Sequence, residues 1–254
     1  MSPHIVVFDS GIGGTSVLAH IQNAVPNANF SYVMDNKYLP YGKLDKAFLN
    51  QRLQYLLKAF TERLAPVDML VVACNTASTQ TLAELREHFS IPIVGVVPAI
   101  KPAANQSNTG VIGVLATPAT VMNSYTHGLV NDFAKHCVVH MYGSTELVAL
   151  AEHYYWHGEL DASALRQELD KLEINPAIDK LVLGCTHFPI LANEIKRILG
   201  TSVELVDSGE AIARRVVSLL ANKNSENADT KKALNFYSTA PVISNSKQIN
   251  LVDL

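Results

Sequence analysis

The sequence predicts an α/β protein built from two similar three-layer α/β domains with mostly parallel sheets, and three observations carry that prediction. Short β-rich apolar runs alternate with stretches of helical period, the signature of βαβ units around a parallel sheet. The runs lack strict polar alternation, as expected for strands covered on both faces. A pair of strand ends in the first half also recurs, in order and spacing, in the second.

Taken in order, strands are expected at residues 5–8, 30–34, 69–73 and 93–97, with helices over 17–24, 47–64 and 79–89 between them. The alternation restarts with strands at 111–115, 138–141 and 181–183 and helices over 119–133, 146–155 and 162–172. A helix at 191–199, a strand at 203–206 and a helix at 210–220 follow. Residues 221–232, ANKNSENADTKK, read as a polar linker, after which 234–239 supplies a last strand that returns to a sheet edge.

The echo decides the domain organisation. DMLVVAC (68–74) matches DKLVLGC (179–185), and each cysteine lies just past an apolar run. Ahead of each stands another run ending in small polar residues, Asp9-Ser10 in the first half and Ala116-Thr117 in the second. Asp9 precedes Cys74 by 65 residues and Thr117 precedes Cys185 by 68. Two related domains are therefore expected, at residues 1–97 plus 208–254 and at 98–207. In open parallel sheets ligands bind outside the carboxyl ends of the strands. Domains related by a pseudo-dyad would bring the two thiols to a shared cleft from opposite sides, and the active site is expected there.

Composition narrows the function. With 48% apolar and 17% charged residues the chain lies far from the disordered class. A net charge of −3 offers no positive field for phosphate backbones or anionic lipid, so neither nucleic acid nor membrane is an expected partner. The N-terminus lacks a basic segment followed by an apolar run and a cleavage site, and no apolar run could span a bilayer; the expected location is the cytoplasm. Cys74, Cys137 and Cys185 are odd in number and far apart, which suits neither a disulfide framework nor a zinc or redox C-x-x-C motif.

Cys74 opens Cys74-Asn75-Thr76-Ala77-Ser78 at the start of an expected helix, where unpaired N–H groups favour a thiolate or bind a carboxylate. Cys185 lies in Gly184-Cys185-Thr186-His187-Phe188-Pro189, with His187 placed to pair with the thiol. Asp9-Ser10-Gly11-Ile12-Gly13-Gly14 is a glycine-rich turn whose backbone can approach a ligand closely and whose Asp9 can bind an ammonium or orient a base. It is neither a Walker A loop nor G-x-G-x-x-G, and a plain turn capped by Asp9 accounts for it as well. Pro40-Tyr41-Gly42 reads as a turn with Tyr41 a contact, Thr117 and Thr120 flank Pro118 as caps or ligands, and Cys137 has no assigned role. Two opposed thiols without a metal cluster suggest proton transfer at a carbon held between them, one thiolate removing a proton and the other thiol returning one. A thiol redox pair, or a binding protein with no chemistry, fits the same cysteines.

At these residues the sequence resembles the glutamate racemases, from residue 5 to about 239: DSGIGG (9–14), PYG (40–42), CNTAS (74–78), LATPAT (115–120), LGCTHFP (183–189) and VDSGEAIA (206–213). The resemblance implies a cofactor-independent homodimer that interconverts L- and D-glutamate and supplies D-glutamate for peptidoglycan. By position it implies Cys74 and Cys185 as the acid/base pair, Cys74 acting on D-glutamate and Cys185 on L-glutamate. Asp9 and His187 would support the thiols or the substrate ammonium. Ser10, Tyr41, Gly42, Asn75, Thr76, Thr117, Thr120, Glu152 and Thr186 would hold the substrate. Aspartate racemases of the same superfamily commonly carry Glu where this chain has His187. With the first strand four residues in, the N-terminal extension of some enterobacterial relatives is not expected, nor is dependence on a cell-wall precursor activator.

Overall fold

The first apolar run forms β1 (His4–Asp9), buried from Ile5 onward and flanked on both sides by parallel neighbours. In this computed structural model, which describes residues 2–64, 66–221, 233–242 and 249–252, β1 is followed by α1 (Thr15–Ala24), β2 (Asn29–Met34), α2 (Lys46–Arg63), β3 (Met69–Val72), α3 (Asn75–His88) and β4 (Ile93–Gly95). Next come α4 (Ile100–Gln106), β5 (Val111–Ala116), α5 (Pro118–Val121), α6 (Ser124–Phe133), β6 (Val138–Gly143), α7 (Glu146–His157) and α8 (Ala162–Lys171). The chain ends with β7 (Lys180–Leu183), α9 (Ala192–Leu199), β8 (Glu204–Val206), α10 (Gly209–Leu220), β9 (Leu234–Ser238) and β10 (Ile249–Leu251). Two compact units result, residues 1–96 with 209–254, and residues 97–208.

The first unit holds a parallel sheet of order β10-β9-β2-β1-β3-β4. α2 covers one face with a stripe of Leu49, Leu53, Leu56, Leu57 and Phe60, all fully buried, spaced so that one side of the helix faces the sheet. Each such side chain contributes about 1.5–3 kcal/mol on burial. The helix begins where the Asp45 side chain accepts from Phe48 N–H at 2.9 Å. α10 packs on α1, which places the late segment in this unit.

The second unit repeats the plan with a parallel sheet of order β6-β5-β7-β8, so that β2-β1-β3-β4 and β6-β5-β7-β8 have the same connectivity. Its core includes Ile100, Ala103, Ile112, Val114 and Val182. The fold is the two-sheet α/β architecture that the sequence predicts.

Several elements depart from expectation. The helix expected over 119–133 is two, because Asn123 interrupts it and caps α6, its side chain accepting from Tyr125 N–H at 2.8 Å. α4 has no clear helix signal in the sequence, since Pro102 lies within it; a proline in the first turn removes a donor that has no helical partner there. The last expected strand, β9, returns to pair beside β2 as expected, but a further strand, β10, pairs on its other side and takes the outer position. Apart from Ala221, the polar linker at 221–232 lies outside the described residues.

Two predictions follow from packing and charge. Gly14 has an ordinary right-handed backbone (φ −62°, ψ −10°) that alanine could adopt, but an added Cβ would lie 2.9 Å from the Cβ atoms of both Ala73 and Asp9. Neither atom can swing aside, so Gly14→Ala should destabilise by about 1–3 kcal/mol and lower Tm by several degrees in thermal denaturation. Asp179, just ahead of β7, is raised by desolvation but more than offset by hydrogen bonds from Ser107 Oγ and the Asn108 and Thr109 N–H groups, which hold it down to about 2. A carboxyl held below its unfolded value of about 3.9 stabilises the fold above that pH and loses the contribution as pH falls toward 2. Denaturant unfolding between pH 5 and 2 should therefore show a shallower acid loss for Asp179→Asn, together with lower stability at neutral pH.

Candidate active site

In the first unit the register of β1 beside β3 carries Asp9 and Cys74 to the same C-terminal edge of the sheet. Phe8 pairs with Val72, and the Ala73 N–H donates to Phe8 O at 2.7 Å. Asp9 is fully buried and its Oδ1 accepts from Gly11 N–H at 3.0 Å. Ser10 Oγ lies 3.4 Å from that carboxylate oxygen and 3.8 Å from Cys74 Sγ, bridging acid and thiol. The turn is pinned from below by Tyr32, whose hydroxyl donates to Gly11 O at 2.6 Å.

Cys74 occupies the N-cap position of α3, a 14-residue helix, with a non-helical backbone and no side-chain cap bond. Cys74 is 6% exposed and stands at the N-terminal end of the helix, the end toward which the helix dipole is positive. Beside it Asn75 is buried and its Nδ2 has no hydrogen-bond partner. A buried amide donor left unsatisfied costs about 1–3 kcal/mol, which sets Asn75 apart from its hydrogen-bonded neighbour Ser78. Ser78 braces the turn, donating from Oγ to Val72 O at 2.8 Å and accepting from Val96 N–H at 3.0 Å.

Tyr41 sits in a short 3-10 turn with Gly42, but its hydroxyl donates to Asp35 Oδ2 at 2.7 Å and is almost fully buried. Burial first, then the Asp35 charge, raises the phenol well above its usual range. The same Asp35 receives two bonds from Arg52, at 3.0 and 2.8 Å, and one from Thr239 Oγ1 at 2.6 Å. Asp35, Arg52 and Thr239 thus lock the turn and were not singled out in the sequence.

The second unit reproduces the strand-end geometry. Gly184 N–H donates to Leu115 O at 2.7 Å, the counterpart of the Ala73 bond, and places Cys185 and Thr117 at one edge. Thr117 Oγ1 accepts from Thr120 N–H at 3.3 Å and donates to Thr120 Oγ1 at 3.1 Å. Cys185 is 7% exposed, with Thr186 and His187 buried beside it.

The surroundings of the second thiol differ from those of the first. Cys185 leads into a 3-10 turn, Phe188–Leu191, and not directly into an α-helix. Its Sγ lies 3.7 Å from His187 Nδ1, and His187 Nε2 lies 2.8 Å from Glu152 Oε1. With Glu152 ionised, and so able only to accept, Nε2 carries the proton on that side and Nδ1 faces the sulfur. The other Glu152 oxygen accepts from Trp156 Nε1–H at 2.9 Å. In the sequence Trp156 carries one signal, the spacing of four from Glu152, which puts both on one helix face.

Cys137 lies apart from both edges, its Sγ 3.8 Å from Ala104 O, and burial pushes its thiol up. Among the described residues no group of three or more His, Cys, Asp or Glu could hold a metal ion, and no helix is long and apolar enough to cross a membrane.

Residues 7–216 match the family model described as Asp/Glu/Hydantoin racemase. A glutamate racemase of Shewanella sp. (strain MR-7) is 51% identical over 89% of this chain and 82% of its own length. A glutamate racemase of Aliivibrio fischeri is 48% identical over 90% of this chain and 85% of its own. The crystal structure of Escherichia coli glutamate racemase in complex with L-glutamate and the activator UDP-MurNAc-Ala superposes with a TM-score of 0.88 at 43% identity, covering 95% of this chain and 91% of that one. The two matching sheets, the paired strand-end cysteines and these likenesses agree: the chain belongs to the Asp/Glu/hydantoin racemase family and is an isomerase.

Proposed function

We propose that the protein interconverts L- and D-glutamate without a cofactor by a two-base transfer in which Cys74 and Cys185 address opposite faces of one α-carbon. The observation that supports this most is the equivalent placement of the two thiols. Each follows the same hydrogen bond at the end of the same strand of its sheet, and each has a polar partner at its sulfur. In the D-to-L direction the Cys74 thiolate takes the α-proton, and the Cys185 thiol gives its proton to the other face of the resulting carbanion. The C–H bond broken on one face is replaced on the other, and the two sulfurs exchange protonation states. The L-to-D direction reverses the roles.

The surrounding residues fit this chemistry. The unsatisfied Asn75 amide and the end of α3 offer donors to a substrate carboxylate, as would Ser10, Thr76, Thr117, Thr120 and Thr186 hydroxyls at the strand edges. Asp9 would orient the Cys74 side through Ser10, and His187, its Nδ1 3.7 Å from the sulfur, would exchange a proton with Cys185. Tyr41, its hydroxyl given to Asp35, would contribute its position and its ring. The likeness to enzymes named glutamate racemases supports glutamate as substrate. A role in supplying D-glutamate to peptidoglycan, as a cytoplasmic homodimer, completes the proposal.

Cys74→Ser and Cys185→Ser each remove one base while keeping a hydroxyl of similar size. In a polarimetric assay with either glutamate enantiomer, each should lower turnover by about 10²–10⁴-fold with the fold intact. The assay is run with and without UDP-MurNAc-Ala, because the Escherichia coli relative was crystallised with that activator. Full racemisation by either serine variant would contradict the two-base proposal, and wild-type turnover of aspartate but not glutamate would reassign the substrate.

A further inference from the structure

The Cys185 side holds one more polar group than the proposed reaction uses. Trp156 Nε1–H donates to Glu152 Oε2 at 2.9 Å, and the opposite oxygen of that carboxylate faces His187 Nε2 at 2.8 Å. His187 Nδ1 in turn faces Cys185 Sγ at 3.7 Å. Indole, carboxylate, imidazole and thiol form one chain of contacts inside the second unit. The Glu152 side chain is 15% exposed and that of His187 only 3%, so the contacts lie largely out of water. Trp156 is held in turn by Tyr155, whose ring meets it edge-on at 5.0 Å, and α7 ends two residues later at Gly158 with a left-handed backbone.

We infer that Trp156 is a positioning residue for the Cys185 half of the reaction, an inference that rests on the racemase proposal above. The terminal torsion of a glutamate is broad, and a bond at each oxygen restrains it more than a bond at one. The indole N–H supplies the bond at Oε2. By fixing the carboxylate plane it keeps Glu152 Oε1 on His187 Nε2–H, which keeps the Nδ1 lone pair on the sulfur. A proton can then pass between Cys185 and Nδ1 with no change in ring orientation. Trp156 acts on the sulfur through Glu152 and His187.

The test is Trp156→Phe, which keeps an aromatic ring on Tyr155 and removes the N–H. The two glutamate enantiomers have equal free energy, so kcat/KM must fall equally in both directions whichever transfer is slowed, and rate alone cannot locate the defect. Substrate deuterium can. From α-deuterated L-glutamate the deuteron goes to Cys185; slowing that transfer makes it more rate-limiting, and the isotope effect on kcat/KM rises. From α-deuterated D-glutamate the deuteron goes to Cys74, and the isotope effect falls toward one. The expected result is a roughly tenfold fall in kcat/KM, the scale of a lost hydrogen bond to a charged group, with isotope effects that move apart in this sense. A fall in rate with both isotope effects unchanged would show a merely structural role, and unchanged kinetics or the reverse movement would likewise overturn the inference. Wild-type protein that racemises neither enantiomer would instead remove the proposal beneath it. Trp156 is the only tryptophan of the chain. If the phenylalanine variant does not fold, biosynthetic replacement by benzothienylalanine exchanges N–H for sulfur within the same ring outline and is judged by the same isotope effects.

Discussion

One backbone hydrogen bond, made twice, sets the position of each site cysteine. The amide of the residue before each cysteine donates to the carbonyl of the central strand beside it, Ala73 to Phe8 and Gly184 to Leu115, both at 2.7 Å. That bond is the last rung of a parallel ladder, and beyond it the two chains part. The sulfur is therefore delivered to the edge of the sheet by a rigid, fully buried strand, while the residues after it are released to form a loop or a helix. A thiol on a free loop would have no such fixed origin. The ladder is itself secured by burial, since the strands Ile5–Phe8, Met69–Val72 and Leu181–Val182 are wholly inaccessible.

The two units share this device but dress the sulfurs differently. Around Cys74 stand the Ser10 hydroxyl, with Asp9 behind it, and the start of α3, at whose N-cap the cysteine lies. Around Cys185 the partners are side chains in series, His187, Glu152 and Trp156. In the proposed reaction a helix end and an imidazole perform the same task of stabilising the sulfur as it gains and loses a proton. A symmetric reaction does not require symmetric machinery, only that each thiol be supplied with a partner that costs little reorganisation.

Much of this was legible in the sequence, because the echo of DMLVVAC in DKLVLGC is the ladder seen from its residues, and strand ends with small polar residues mark the ligand edge of a parallel sheet. What stayed hidden was whatever depends on contacts across elements. Tyr41 reads as a ligand contact beside Pro40 and Gly42, yet Asp35 and Thr239, the latter 204 residues from Asp35, claim its neighbourhood. Asn123 looks like one polar residue within a long helix until its side chain is seen to start a new one. The edge position of β10 had no sequence signal, since three residues carry too little periodicity to register as a strand. Trp156 was invisible for the same reason as Asp35: its role is defined by a partner, not by a motif.

The measurement that bears most directly on two-base racemisation is proton NMR of the reduced protein in D2O with D-glutamate as sole substrate and no added pyridoxal phosphate, read at early conversion. Two bases on opposite faces predict that L-glutamate appears carrying deuterium at the α-carbon while the remaining D-glutamate keeps its protium. Deuterium washing into D-glutamate as fast as L-glutamate forms would show one base serving both faces, and no exchange at all in folded protein would contradict the account outright.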